Sequence, residues 1–124
     1  MDDLIDKNVL ILDSIKNDTY NFKNLLKKSD CIIWTNCSKL NINIGSTINK
    51  LIFINCNNIK IKLNKIISGV DFDKCKNIKM KTQVNKSINY LSLYKTDLVM
   101  YINQIDLNQV IIDSDKSNLR YKLI

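Results

Sequence analysis

The chain has 124 residues, with 19 Lys and Arg against 12 acidic residues and a formal net charge of +7. That is the length of one domain with a core of its own. With no His anywhere and only two Gly, a Ser-His-Asp or Cys-His nucleophile system, a His-completed zinc site and a glycine-rich phosphate loop are all excluded.

Ala and Glu are also absent while Ile is abundant, a balance that favours strands over helices. Residues 1–8 are polar and read as a loose lead-in. The opening MDDLIDKNVLILD is acidic and its apolar run is short, so it is neither a signal peptide nor a membrane span. Residues 9–13 read as a strand, with Val9 and Ile11 inward and a corner at Ser14. Residues 14–30 depart from the pattern that follows. Their apolar positions Tyr20, Phe22, Leu25 and Leu26 predict an insert packed on the body, holding a strand or a short helical turn, with residues 27–30 as its exit.

Residues 31–82 are the most regular stretch. Cys37, Cys56 and Cys75 follow one another at steps of 19 residues. Five and three positions before each cysteine stand Ile32 and Trp34, Leu51 and Phe53, Val70 and Phe72; three and five positions after stand Leu40 and Ile42, Ile59 and Ile61, Ile78 and Met80. Alternation of period two marks strands with one buried face. A fixed step near 20 residues with two strands per step marks a solenoid. The sequence therefore predicts an all-β fold: a parallel β-helix of five to six rungs, each rung turning a corner at its cysteine. Gly45 and Gly69 fall between rungs, where corners call for positive φ. Two looser rungs follow over residues 83–124. One has Leu91 and Leu93, a corner at Thr96, then Val99 and Tyr101 inward; the other has Ile111, a corner near Ser114, then Leu119 and Tyr121. The chain is read as a single domain over 1–124, with an irregular N-terminal rung and insert over 1–30 and regular rungs over 31–124.

The cysteines show no CxxC pair. Those at the corners read as a stacked ladder of small half-buried thiols, kept reduced in a cytoplasmic chain. Asp71 and Asp73 share a strand face, as do Asp113 and Asp115; solvated strand charges explain them better than a cation site or a catalytic pair. No metal or cofactor and no enzyme activity are expected. The same frame names the outward positions: Asn41 and Asn43, then Lys60 and Lys62, Lys79 and Lys81, then Met100 and Ile102. Four lysines on adjacent rungs repel one another, and they predict a docking patch for an acidic partner. On the opposite sheet Ile33, Ile52 and Ile54 point outward, an apolar row that calls for cover by the 14–30 insert or by a second chain.

Several pieces of the sequence resemble a known family. They are Asn36-Cys37-Ser38, the rung INKLIFINCNNIKIKL, Ile67-Ser68-Gly69-Val70-Asp71-Phe72, Lys74-Cys75-Lys76 and Lys95-Thr96-Asp97. In this order and at this spacing they resemble the C-terminal β-helical domain of the cyclase-associated proteins, from Asn36 to about Leu123. The resemblance implies a right-handed parallel β-helix that binds monomeric actin and promotes exchange of actin-bound ADP for ATP; taken with the repeat frame, it makes the lysine face, Lys60, Lys62, Lys79 and Lys81, the expected contact with that partner. The family's helical N-terminal domain, proline-rich segment, second actin-binding motif and C-terminal dimerisation tail have no counterpart in these pieces. Two alternatives stand beside it: a tubulin-binding cofactor C-like partner of a GTPase, and a structural or interaction remnant without exchange activity. The first wants an arginine in a Gln-x-Arg motif on a middle rung, and the one arginine here is Arg120. Nucleic acid is disfavoured, because the lysines alternate with inward Ile and Met rather than with aromatic side chains; no membrane association is expected. Open strand edges at the ends of a solenoid recruit partners, which predicts a homodimer.

Overall fold

The computed structural model describes residues 8–23 and 26–124; the lead-in before Asn8, and Leu25, lie outside the described residues. The described residues wind through twelve strands: β1 (Val9–Asp13), β2 (Lys16–Phe22), β3 (Cys31–Thr35), β4 (Ser38–Ile48), β5 (Lys50–Ile54), β6 (Asn57–Ile66), β7 (Val70–Asp73), β8 (Lys76–Thr82), β9 (Tyr90–Tyr94), β10 (Asp97–Ile102), β11 (Ile111–Asp115) and β12 (Asn118–Leu123). One short helix, α1 (Gln104–Gln109), lies between β10 and β11. Odd-numbered strands form a first sheet and even-numbered strands a second, each of six strands in chain order and parallel throughout. This is the expected parallel β-solenoid, of about six turns.

Register turns the repeated sequence into side-chain ladders. Trp34 pairs with Phe53 and Phe53 with Phe72. Their rings stack at 6.1 and 5.0 Å between centroids, within 5 and 11° of parallel. On the second sheet Leu40, Ile59, Ile78 and Leu98 form one inward column, and Ile42, Ile61, Met80 and Met100 another; all are buried. Cys37, Cys56 and Cys75 are buried and reduced at the corner between the sheets. Each thiol donates to the carbonyl two residues back at 3.3–3.4 Å and lies 3.5 Å from a carbonyl of the preceding turn. Burial pushes the Cys37 thiol pKa up. Contact with Cys75, with burial added, does the same for Cys56.

The corners explain both the regular and the irregular turns. Ser14, Asn36, Asn55, Lys74, Lys95 and Lys116 hold φ between 46 and 59°, and Asn17, Lys39, Asn58 and Asn77 hold 55–56° on the far side of the corner residue. Asn suits this left-handed region, and here its amides also stack: Asn55 Nδ2 donates to Asn36 Oδ1 at 2.7 Å, and Asn77 Nδ2 donates to Asn58 Oδ1. The last two turns lack the second left-handed residue, so their first inward side chain comes one residue sooner after the corner.

That missing residue corrects two expectations. After Thr96, Leu98 pairs with Ile78 and Met100 with Met80. Leu98, Met100 and Ile102 are buried, while Val99 and Tyr101 face outward, the reverse of the expected alternation. The last corner lies at Lys116 and Ser117 rather than near Ser114, since Ser114 is inside β11. The first turn is also displaced by one. Its corner residue is Ile15, so Leu10 and Leu12 pair with inward Ile32 and Trp34, and Val9 and Ile11 face outward.

The 14–30 stretch is not an insert laid over the body. It carries β2, which pairs with β4 as the second half of the first turn, Tyr20 opposite Ile42 and Phe22 opposite Ile44. Its aromatic rings close the core end, Tyr20 meeting Trp34 edge-on at 5.1 Å. Gly69 has the expected positive φ, at 97°. Gly45 does not: it sits inside β4, where the register with β6 shifts between Ile44 and Thr47.

Candidate functional site: a basic groove on the second sheet

Outward side chains of the second sheet fall into two columns. One runs Thr19, Asn41, Lys60, Lys79, Val99, Arg120; the other runs Asn21, Asn43, Lys62, Lys81, Tyr101, Lys122. Successive positions stand one strand spacing apart, about 4.8 Å. The four lysines named from the sequence are therefore brought together, Lys60 beside Lys79 and Lys62 beside Lys81. All four are exposed. Met100 and Ile102, expected on this face, are in the core instead.

Sequence reasoning missed the continuation of the patch. Because the shortened corner after Thr96 shifts the alternation, Tyr101, Arg120 and Lys122 join these columns. The signal was available in Lys95-Thr96-Asp97-Leu98, which has one polar residue between corner and first apolar position where Cys75-Lys76-Asn77-Ile78 has two. Lys122 Nζ stands over the Tyr101 ring, 5.8 Å from its centroid, a geometry that favours the cation.

Thr19, Asn21, Asn41, Asn43, the four lysines and Tyr101 wall a groove of about 680 Å³, floored in part by Ile42 and Ile61 and edged by Tyr20 and Ile124; Val99, Arg120 and Lys122 lie beyond it on the same face. Just past β8, Gln83 reaches back across β6 and donates from Nε2 to Asn43 Oδ1 at 3.1 Å. Neither column contains a carboxylate. Among the described residues the single ion pair is Lys50 with Asp71, on the other sheet. The lysine cluster is thus charged, exposed and without an internal counter-ion, in a form that attracts anionic groups from outside. No group of three or more Cys, Asp or Glu side chains that could hold a metal ion occurs among the described residues. Nor, among them, is any helix long and apolar enough to cross a membrane.

Twelve strands wound into parallel turns, with an outward face of Lys, Arg, Asn and Tyr, define a small β-helix domain with a basic groove. The family described as adenylate cyclase associated (CAP) C terminal matches residues 5–122, and the chain belongs to it. The resemblance carried by the middle rungs thus extends through the first turn as well. No individual curated protein matches the chain.

Proposed function

We propose that the chain is an actin-monomer-binding regulator of the cyclase-associated type, which promotes exchange of actin-bound ADP for ATP by binding and not by catalysis of its own. Membership of the CAP C-terminal family is the observation that carries this reading. The groove supports it independently: four adjacent lysines, extended by Arg120 and Lys122 and free of carboxylates, suit an acidic protein surface. Lys60, Lys62, Lys79 and Lys81 are the proposed partner contacts, and the cytoplasm is the proposed compartment. The test is direct. Purified chain is mixed with ADP-actin and ATP-actin monomers, and release of a fluorescent nucleotide is followed. Binding to ADP-actin with faster nucleotide release is expected; no effect on either monomer overturns the reading.

A homodimer belongs to the same proposal. In the last turn Ile111, Tyr121, Leu123 and Ile124 are each more than half exposed, and β12 is an outer strand of its sheet. Pairing between two such turns would bury these side chains and satisfy the strand edge. Light scattering at micromolar concentration should give twice the monomer mass of 14.4 kDa, and a purely monomeric species overturns the dimer.

A further inference from the structure

The outer face of the first sheet has a chemistry opposite to that of the groove. In its first three turns Ile11, Ile33, Ile52 and Ile54 point outward; Ile11 is 62% exposed and Ile54 37%. In its later turns Asp71, Asp73, Asp113 and Asp115 do so, with Ser92 and Tyr94 between the two pairs and Ile111 beside the second; Asp13 also faces outward in the first turn, where Thr35, Asn36 and Ser14 already hold it. An acidic face on a chain of net charge +7 runs against the composition. One cation, Lys50, stands within it and is already engaged: its Nζ is 3.2 Å from the Asp71 carboxylate and 3.2 Å from the Ser68 carbonyl oxygen. Lysines 74, 95 and 116 occupy the adjoining corner, but none forms an ion pair with these acids among the described residues. One oxygen of Asp73 is shut off from solvent without a hydrogen-bond donor. The segment expected to cover the isoleucines is β2, which belongs to the other sheet.

We propose that this face docks a protein segment that is apolar at one end and rich in Lys or Arg at the other, at a site separate from the lysine groove. The isoleucines take the apolar end out of water, and the row of carboxylates receives the cations, Asp73 among them. Six strands at a spacing of about 4.8 Å extend for about 24 Å, the length of a helix of about 16 residues. A second copy of the chain fits less well. Its equivalent face brings one cation, Lys50, which is already paired with its own Asp71, and its groove brings cations without a row of apolar side chains.

Selection of displayed random peptides on the purified wild-type chain tests this. Enriched peptides should combine an apolar cluster with a Lys/Arg cluster. Their affinity should fall at least tenfold in Ile33→Thr/Ile52→Thr and, separately, in Asp73→Asn/Asp113→Asn. It should be unchanged in Lys60→Glu/Lys62→Glu, so the result does not depend on actin binding at the groove. Thr and Asn at outward strand positions keep the fold, and an unchanged thermal melt of each variant verifies this. Enrichment of acidic peptides alone, with their binding lost in Lys60→Glu/Lys62→Glu, overturns the proposal, as do binding insensitive to both first-sheet variants and no enrichment at all. So does wild-type self-association that Ile33→Thr/Ile52→Thr abolishes, which would assign the face to a second copy.

Discussion

Gly69 and Phe53 show how much single residues carry in a repeating fold. Gly69 holds φ at 97°, and a Cβ there would stand 2.4 Å from the carbonyl oxygen of Tyr90 on the next turn. Strain and a backbone clash add together, so Gly69→Ala should lose about 2 kcal/mol or more of stability. Gly45→Ala is the control: its Cβ meets Lys23 Cγ and the Phe22 carbonyl at 3.3 Å without left-handed strain, and the loss read from denaturant melts should be smaller. Phe53 is completely buried between Trp34 and Phe72. Removing its ring leaves a cavity that two stacked neighbours on fixed strands fill poorly. Phe53→Ala should cost about 3–5 kcal/mol, seen as a large fall in the denaturation midpoint; a midpoint within error of wild type would deny the ring its place in the core.

At the scale of the element, the corner decides the register. Asp13 marks the first corner, where its carboxylate accepts from Thr35 Oγ1 at 2.5 Å, Asn36 Nδ2 at 3.1 Å and Ser14 Oγ at 3.0 Å. Hydrogen bonds from Thr35, then Asn36 and Ser14, hold its pKa below the ordinary carboxylate value. The sign follows from linkage. A carboxylate with a depressed folded pKa contributes stability that is present above its unfolded pKa and lost as pH falls through the folded value. Asp13→Asn should therefore lower the melting temperature at neutral pH, and the gap to wild type should close as pH drops below about 4. A gap that stays constant with pH would show that the corner does not depend on the charge. The corners also set the limit of what the sequence disclosed. The three middle turns were legible because Cys37, Cys56 and Cys75 are flanked by identical numbers of residues. The strand after Thr96 was misphased because one left-handed residue is missing there, and in a strand a shift of one exchanges core and surface; in the last turn Leu119 and Tyr121 do pair with inward Leu98 and Met100, but the corner was set too early and Ile112, not Ile111, pairs with inward Leu91. The second half of the first turn was read as an insert because inward Asp18, at an open end of the stack, broke the apolar alternation. The buried Asp106 was invisible to periodicity. It is the residue that binds α1 to the preceding loop, accepting from the Lys86 backbone N–H while its own N–H donates to Asn103 Oδ1 at 2.8 Å.

At the scale of the whole molecule, the two sheets separate the charge. The second presents Lys60, Lys62, Lys79, Lys81, Arg120 and Lys122, and the first presents Asp71, Asp73, Asp113 and Asp115. Four candidate groove residues were legible because they lie in the regular turns; the other cations lay beyond the misphased corner. Such a groove acts on a partner chiefly during encounter. An exposed charge pair contributes roughly 0–1 kcal/mol, so no one lysine should dominate, whereas the cluster speeds association and loses its effect as salt rises. Reversing Lys60, Lys62, Lys79 and Lys81 together to Glu should leave the thermal melt nearly unchanged, because outward strand positions bury little. It should weaken binding to ADP-actin by about an order of magnitude, mainly through slower association, and slow nucleotide release in proportion. Raising ionic strength should narrow the difference between the two proteins. A reversed chain that melts normally and still accelerates exchange at the wild-type rate would reduce the groove to a solvated surface. The actin contact would then have to be sought on another face of the same β-helix.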